Sequence, residues 1–200
     1  MKDYNFICEQ LFISNDQLKQ VGLSQYKINN LVNDDYIKKI NRKYYENLHY
    51  NGEDFDFYYV NPYIPSGVIC LMSAATYYGL TTYIPDVVDV AVYRKTKVNE
   101  LPEYPDVKLY YFSKERYELG IKEINENGNV FKIYDVEKTV VDIISYREKV
   151  GIEETKKVLK NYLKRNDRDI NKMINYAEKV KCDKVLKTYL EVLVWWMRIQ

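Results

Sequence analysis

An α+β fold is predicted for this 200-residue chain by three observations. Capped helical segments give way to a short β-rich hairpin within residues 1–50. Several β-rich runs, two of them joined by an Asn-Gly turn, fill the middle of the chain. Everything after Asp135 has helical spacing. Hydrophobic residues make up 46% of the chain, enough for a packed core. The charge is balanced, 30 basic against 29 acidic residues, so any affinity for nucleic acid must come from a local patch.

In chain order, residues 3–11 are expected to form a first helix with Phe6, Ile7 and Leu11 on one side. Ser14 is a predicted N-cap, and Gln17 three residues later completes a capping box. The helix 15–20 that follows stops at Gly22. Ser24 is a second N-cap. Ile28, Leu31 and Val32 then form the buried stripe of a helix over 24–34. Residues 36–45 read as two short strands around Asn41-Arg42, a basic wing. Helix, turn, helix and wing are the order of a winged helix-turn-helix, predicted over residues 1–48.

Residues 49–64 are expected to be a linker with some extended structure, and residues 65–200 a larger α/β domain. That domain should open with a buried helix over 66–78, with Pro65 at its first turn and Gly79 at its end. Strands follow at 87–93, 107–112, 117–124 and 129–134, forming a mixed or antiparallel sheet. A C-terminal helical bundle is expected from helices at 136–148, 152–165, 169–180 and 183–197.

Cys8, Cys70 and Cys182 are far apart in apolar surroundings and read as buried reduced thiols. His49 is the only histidine, so neither a zinc site nor a disulfide framework is expected. No signal peptide and no apolar run of membrane-spanning length is recognised, so a cytoplasmic protein with no membrane partner is expected.

On the helix 24–34, Tyr26, Asn30 and Asn33 point away from the buried stripe, flanked by Lys27 and Asn29. Asn can bond bidentately to adenine, and Lys neutralises phosphate. The helix start at Ser24 and Gln25 offers free backbone N–H groups to a phosphate. The wing adds Lys38, Lys39, Arg42 and Lys43. These residues are the candidate DNA-binding face, the alternative being an ordinary solvated helix and hairpin.

The segment LFISNDQLKQVGLSQYKINNLVNDDYIKKINRKYY resembles the winged-helix domain of AbiEi-type antitoxins. Two further segments, PSGVICLMSAATYYGLTTYIPDVVDVAV and VFKIYDVEKTVVDIISYREKVGIEETKKVLKNYL, resemble later passages of that family in the right order. The resemblance implies an antitoxin that represses its own operon, binding inverted repeats in promoter DNA. It also implies a nucleotidyltransferase-like toxin as functional partner, counteracted without a stable complex, in a type IV system of abortive phage infection. It implies no enzymatic activity and no cofactor. The chain departs from the family after Leu190, where its end is short and aromatic, with Trp195 and Trp196.

Asp135, Glu137 and Asp142 form the best acidic cluster for an alternative reading as a metal-dependent nucleic-acid enzyme. The structural reading makes Asp135 an N-cap and Lys138–Asp142 an i, i+4 ion pair, leaving no catalytic or metal residue. Lys156, Lys160 and Lys164 share one helix face and could form a second basic surface. The terminal LEVLVWWMRIQ reads as core, with packing against a second subunit as the alternative. A third functional reading is an adaptor that neutralises a toxin by direct binding.

Overall fold

The computed structural model describes residues 9–197, with side chains described through residue 192. The expected helix over 3–11 falls largely outside that range. The fold is α+β, as predicted. The chain divides into two compact units. Unit 1 comprises residues 1–67, 98–105 and 123–131; unit 2 comprises 68–97, 106–122 and 132–200.

Unit 1 begins with strand β1 (Phe12–Ser14), which the sequence reading missed. Three residues are too few to show alternation. Helix α1 (Asn15–Gln20) starts at the expected capping box: Ser14 Oγ accepts from Gln17 N–H, and Gln17 Oε1 accepts from Ser14 N–H. Gly22, at φ +83°, makes the left-handed turn into helix α2 (Gln25–Asn33), which Ser24 caps. Strands β2 (Ile37–Lys39) and β3 (Tyr44–Asn47) complete a three-stranded antiparallel sheet in the order β1-β3-β2. Ile13, Leu18, Leu23, Ile28, Leu31, Ile37 and Tyr45 close a core around the two helices.

Asp35 sits just past α2 at φ +53°, and Tyr36 N–H reaches back to Leu31 C=O. This is a left-handed C-terminal turn, a place where glycine costs least. Asp35→Gly is therefore expected to stabilise the protein by about 1 kcal/mol, read as a higher urea midpoint. An unchanged midpoint would mean that aspartate bears no strain there.

Residues 49–64, expected as a linker, carry a 3-10 turn (Asp56–Tyr59) and helix α3 (Val60–Tyr63). Phe55, Phe57 and Tyr58 pack their rings on Phe131. Asn129 Oδ1, buried, accepts from Leu11 N–H at 2.8 Å. Unit 1 is thus tied together by side chains distant in sequence.

In unit 2 the run expected as one helix over 66–78 divides. Strand β4 (Val68–Ile69) comes first, then helix α4 (Leu71–Tyr77). Leu71 at φ +44° marks the change of direction. A buried strand and a buried helix present the same unbroken apolar run, so periodicity could not separate them. Strands β5 (Val88–Tyr93) and β6 (Val107–Phe112) fall where expected.

Helix α5 (Lys114–Tyr117), capped by Ser113, replaces the start of the strand expected at 117–124. Strands β7 (Ile121–Glu126) and β8 (Asn129–Tyr134) then follow, with Asn127-Gly128 at the predicted turn. The five-stranded sheet has the order β6-β5-β4-β8-β7. It is mixed: β5 is parallel to β6 and antiparallel to β4, and β4 is parallel to β8.

The helix expected at 136–148 is broken at Tyr146 into α6 (Val136–Ser145) and α7 (Arg147–Val150). Helices α8 (Ile152–Leu163), α9 (Ile170–Lys179) and α10 (Asp183–Met197) complete the expected bundle. Helix α6 is buried from Val136 to Ile144. Gly120, at φ +72°, lies against its start: a Cβ there would come within 2.9 Å of Lys138 Cβ and 3.1 Å of Asp135 Oδ2. In α10, Leu186 is buried and Val192 exposed, while the side chains of Trp195 and Trp196 lie outside the described residues.

Cys70 and Cys182 are buried free thiols; Cys8 lies outside the described residues. Burial pushes the Cys182 thiol up to about 11 and holds that of Cys70 well above its ordinary value, so neither is a ready nucleophile. Among the described residues, no helix is long and apolar enough to cross a membrane.

Candidate nucleic-acid interface

Helix α2 is held on one side only. Ile28 and Leu31 are buried, whereas Ser24, Gln25, Tyr26, Lys27, Asn29 and Asn33 are exposed. Asn30 is half-buried, so it is less free to reach outward than the helical wheel implied. Tyr26 is 75% exposed, so its ring stands on the outer face of the helix. Gln25 Nε2 donates to Asn29 Oδ1 at 3.2 Å, which aligns two polar side chains along the same face. Ser24 Oγ caps the Lys27 amide at 3.4 Å, a long contact on an exposed helix start.

The wing presents Lys38, Lys39, Arg42 and Lys43, all exposed. Lys38 lies opposite Glu46 in the β2–β3 register, so part of its charge is offset. Over residues 24–45 five cations face two carboxylates, Asp34 and Asp35, which sit at the far end of α2.

Asn41 shapes the wing, a role the sequence reading did not assign. Its Oδ1 accepts from the amides of Lys43 and Tyr44 at 2.9 and 3.0 Å. Its Nδ2 donates to Pro62 C=O at 2.8 Å. This fixes the backbone that carries Arg42 and Lys43. An Asn between two short strands was a signal for it.

The second basic surface is much less free. Lys156 pairs with Glu153 at 3.0 Å and its neighbour Lys157 with Glu154 at 2.6 Å. Lys160 is half-buried, and Lys164 is exposed. On that face Lys156 is ion-paired, as is usual on a solvated helix.

The acidic cluster is built into the core of unit 2. Asp135 caps α6 through Lys138 N–H at 2.9 Å. Lys172 bridges Asp135 Oδ2 and Glu137 Oε2, both at 3.0 Å. Tyr176 and Tyr162 donate their hydroxyls to the same two carboxylates. Asp142 is fully buried and receives Lys138 Nζ on one oxygen and Arg116 on the other, at 2.8 Å. Lys138 is itself fully buried, 4.1 Å over the Tyr134 ring. Burial lowers its ammonium pKa, against the pull of Asp142. The carboxylates are thus occupied by cations and hydroxyls. No group of three or more His, Cys, Asp or Glu among the described residues could hold a metal ion.

Fold and site together define an α+β protein in which two short capped helices precede a basic hairpin, with one face of α2 and the hairpin cations exposed. No family model matches the sequence, and no curated protein matches it. Among solved structures it is similar to the Rv2827c protein from Mycobacterium tuberculosis, with a TM-score of 0.43 and 10% identity over 91% of this chain and 76% of that one. At that similarity neither fold nor function carries across.

Proposed function

We propose that unit 1 binds double-stranded DNA as a winged helix, with α2 in the major groove and the β2–β3 hairpin along the backbone. In the same reading the protein is an autorepressor antitoxin of the AbiEi type, acting on inverted repeats in its own promoter and counteracting a nucleotidyltransferase-like toxin. The observation that carries the DNA reading is the one-sided burial of α2. Its inner residues are core, its outer face is polar and aromatic, and four wing cations adjoin it in sequence. The antitoxin reading rests on the sequence resemblance. It has no catalytic step: Asp135, Glu137 and Asp142 serve the core of unit 2.

The test is electrophoretic mobility shift on the chain's own upstream promoter against a shuffled fragment of equal length, at about 150 mM salt. A specific shift is expected, with a log–log salt slope of roughly −4 to −5 if Lys27, Lys38, Lys39, Arg42 and Lys43 all meet phosphate. Replacing Arg42 and Lys43 with alanine should flatten the slope by about 2 and abolish the shift at that salt. Equal binding to both fragments sinks the repressor reading. Growth rescue on co-expression with the neighbouring gene tests the antitoxin half separately.

A further inference from the structure

Unit 2 contains a cleft of about 380 Å³, at the small end of the range for small-molecule sites. Three kinds of chemistry meet in it. Lys108 and Lys149 supply exposed ammonium groups with no ion pair to a carboxylate. Tyr83 and Tyr110 supply aromatic surface, Tyr83 being 49% exposed. Asp86 and Asp89 supply acceptor oxygens.

The groups are held by different elements. Asp89 lies on β5 directly beside Lys108 on β6. Its Oδ2 accepts from Met72 N–H at 3.1 Å, and Ser73 Oγ accepts from its own N–H at 2.8 Å, which fixes the carboxyl against α4. Tyr110 bonds to the same carboxyl. Burial raises the Asp89 pKa, opposed by those hydrogen bonds and by Lys108. A buried carboxyl with a displaced pKa at the floor of an open cleft is a common mark of a binding site. Glu154, also on the wall, is already committed to Lys157 and to the Thr81 hydroxyl. The charges without an ion pair are therefore the ammoniums of Lys108 and Lys149, 5.6 Å over the Tyr110 ring and 5.4 Å over the Tyr146 ring, and the exposed carboxylate of Asp86.

We propose that this cleft binds a nucleoside monophosphate group, with phosphate on Lys108 and Lys149, the base against Tyr83, and base-edge or ribose donors on Asp86. A simple anion would use the lysines but leave the ring and the acceptors without purpose. A neutral apolar ligand would gain nothing from the two ammoniums. The site lies wholly in unit 2 and does not depend on the DNA-binding reading.

The experiment is calorimetric titration of the full chain with AMP, GMP and inorganic phosphate, with amide chemical shifts as a second readout. Saturable one-to-one binding of AMP or GMP is expected, with shifts at Tyr83, Asp89, Lys108 and Lys149. Replacing Lys108 and Lys149 with alanine should weaken it by about tenfold or more, the loss of at least one charge-assisted contact. Tyr83→Ala should weaken AMP but leave phosphate unchanged. These three side chains are exposed at the cleft, and circular dichroism checks that the variants fold. A 5′-phosphorylated dinucleotide that binds more tightly than AMP would make the source an RNA end; the reverse order makes it a free nucleotide. Absence of heat and of cleft shifts at millimolar AMP and GMP overturns the proposal. So does phosphate binding as tight as AMP, or nucleotide binding indifferent to the lysine substitutions.

Discussion

Replacing Asp142 with alanine is expected to cost about 3–5 kcal/mol, a large part of the margin by which a domain of this size is folded. The reason lies in what remains. Lys138 stays fully buried with its ammonium facing the rings of Tyr134 and Phe112, and Arg116 loses the carboxylate that receives two of its nitrogens. Lys138 has no water to return to, whereas the Arg116 side chain keeps 16% of its surface exposed. The loss is that of an uncompensated buried charge, and it differs from the worth of the ion pair itself. Replacing Arg116 and Lys138 by methionine together with Asp142→Leu should recover most of it, because an apolar cluster of similar volume needs no charge partner. The measurement is the urea midpoint of the single and triple variants. A single variant that loses under 1 kcal/mol would mean that water reaches the cluster, and would reopen the carboxylates as a reactive site.

Ile28→Ala should cost about 2–5 kcal/mol and detach α2 from its support. Ile28 is fully buried at the centre of the small core made with Leu18, Leu23, Ile37 and Tyr45. That core has few residues, so one cavity takes a larger share of it than the same deletion in unit 2. Ile28→Val, which keeps most of the volume, should cost only about 0.5–1.5 kcal/mol. In the proposed function the alanine variant loses promoter binding although no DNA-facing group has been touched. Hydrogen exchange at the α2 amides separates the two effects. Fast exchange throughout α2 in Ile28→Ala is expected, and protection equal to the parent would refute the account of how the helix is held.

Much of this architecture is legible in local sequence. Ser14 with Gln17, and Ser24, mark helix starts because a side-chain oxygen must satisfy free amides within three residues. Asn127-Gly128 marks the hairpin because both residues adopt positive φ. What was not legible depends on partners far away. Val68–Ile69 is a strand because β5 and β8 flank it, not because its residues alternate. Asp142 reads locally as the end of a surface ion pair with Lys138, and Arg116, which makes it a buried triad, lies 26 residues upstream. On the candidate DNA face, the exposed residues of α2 followed from helical spacing. The part played by Asn41 did not, because it needs the Pro62 carbonyl that only the folded chain brings near.

The three-part composition of unit 1 sets the order in which the nascent chain can mature. The small core around Ile28 is complete once residue 45 is available, since its members all lie between Ile13 and Tyr45. The rest of unit 1 must wait. The Leu11 amide has its acceptor in Asn129, and the rings of Phe55, Phe57 and Tyr58 meet Phe131. At about 5–20 residues per second, the 64 residues from 67 to 131 take roughly 3–13 s to emerge. For that interval the α1–α2 core exists beside an aromatic cluster still open to water. A ribosome stalled in this window would display a folded α1–α2 core on an unfinished body, the stage at which a chaperone has most to bind.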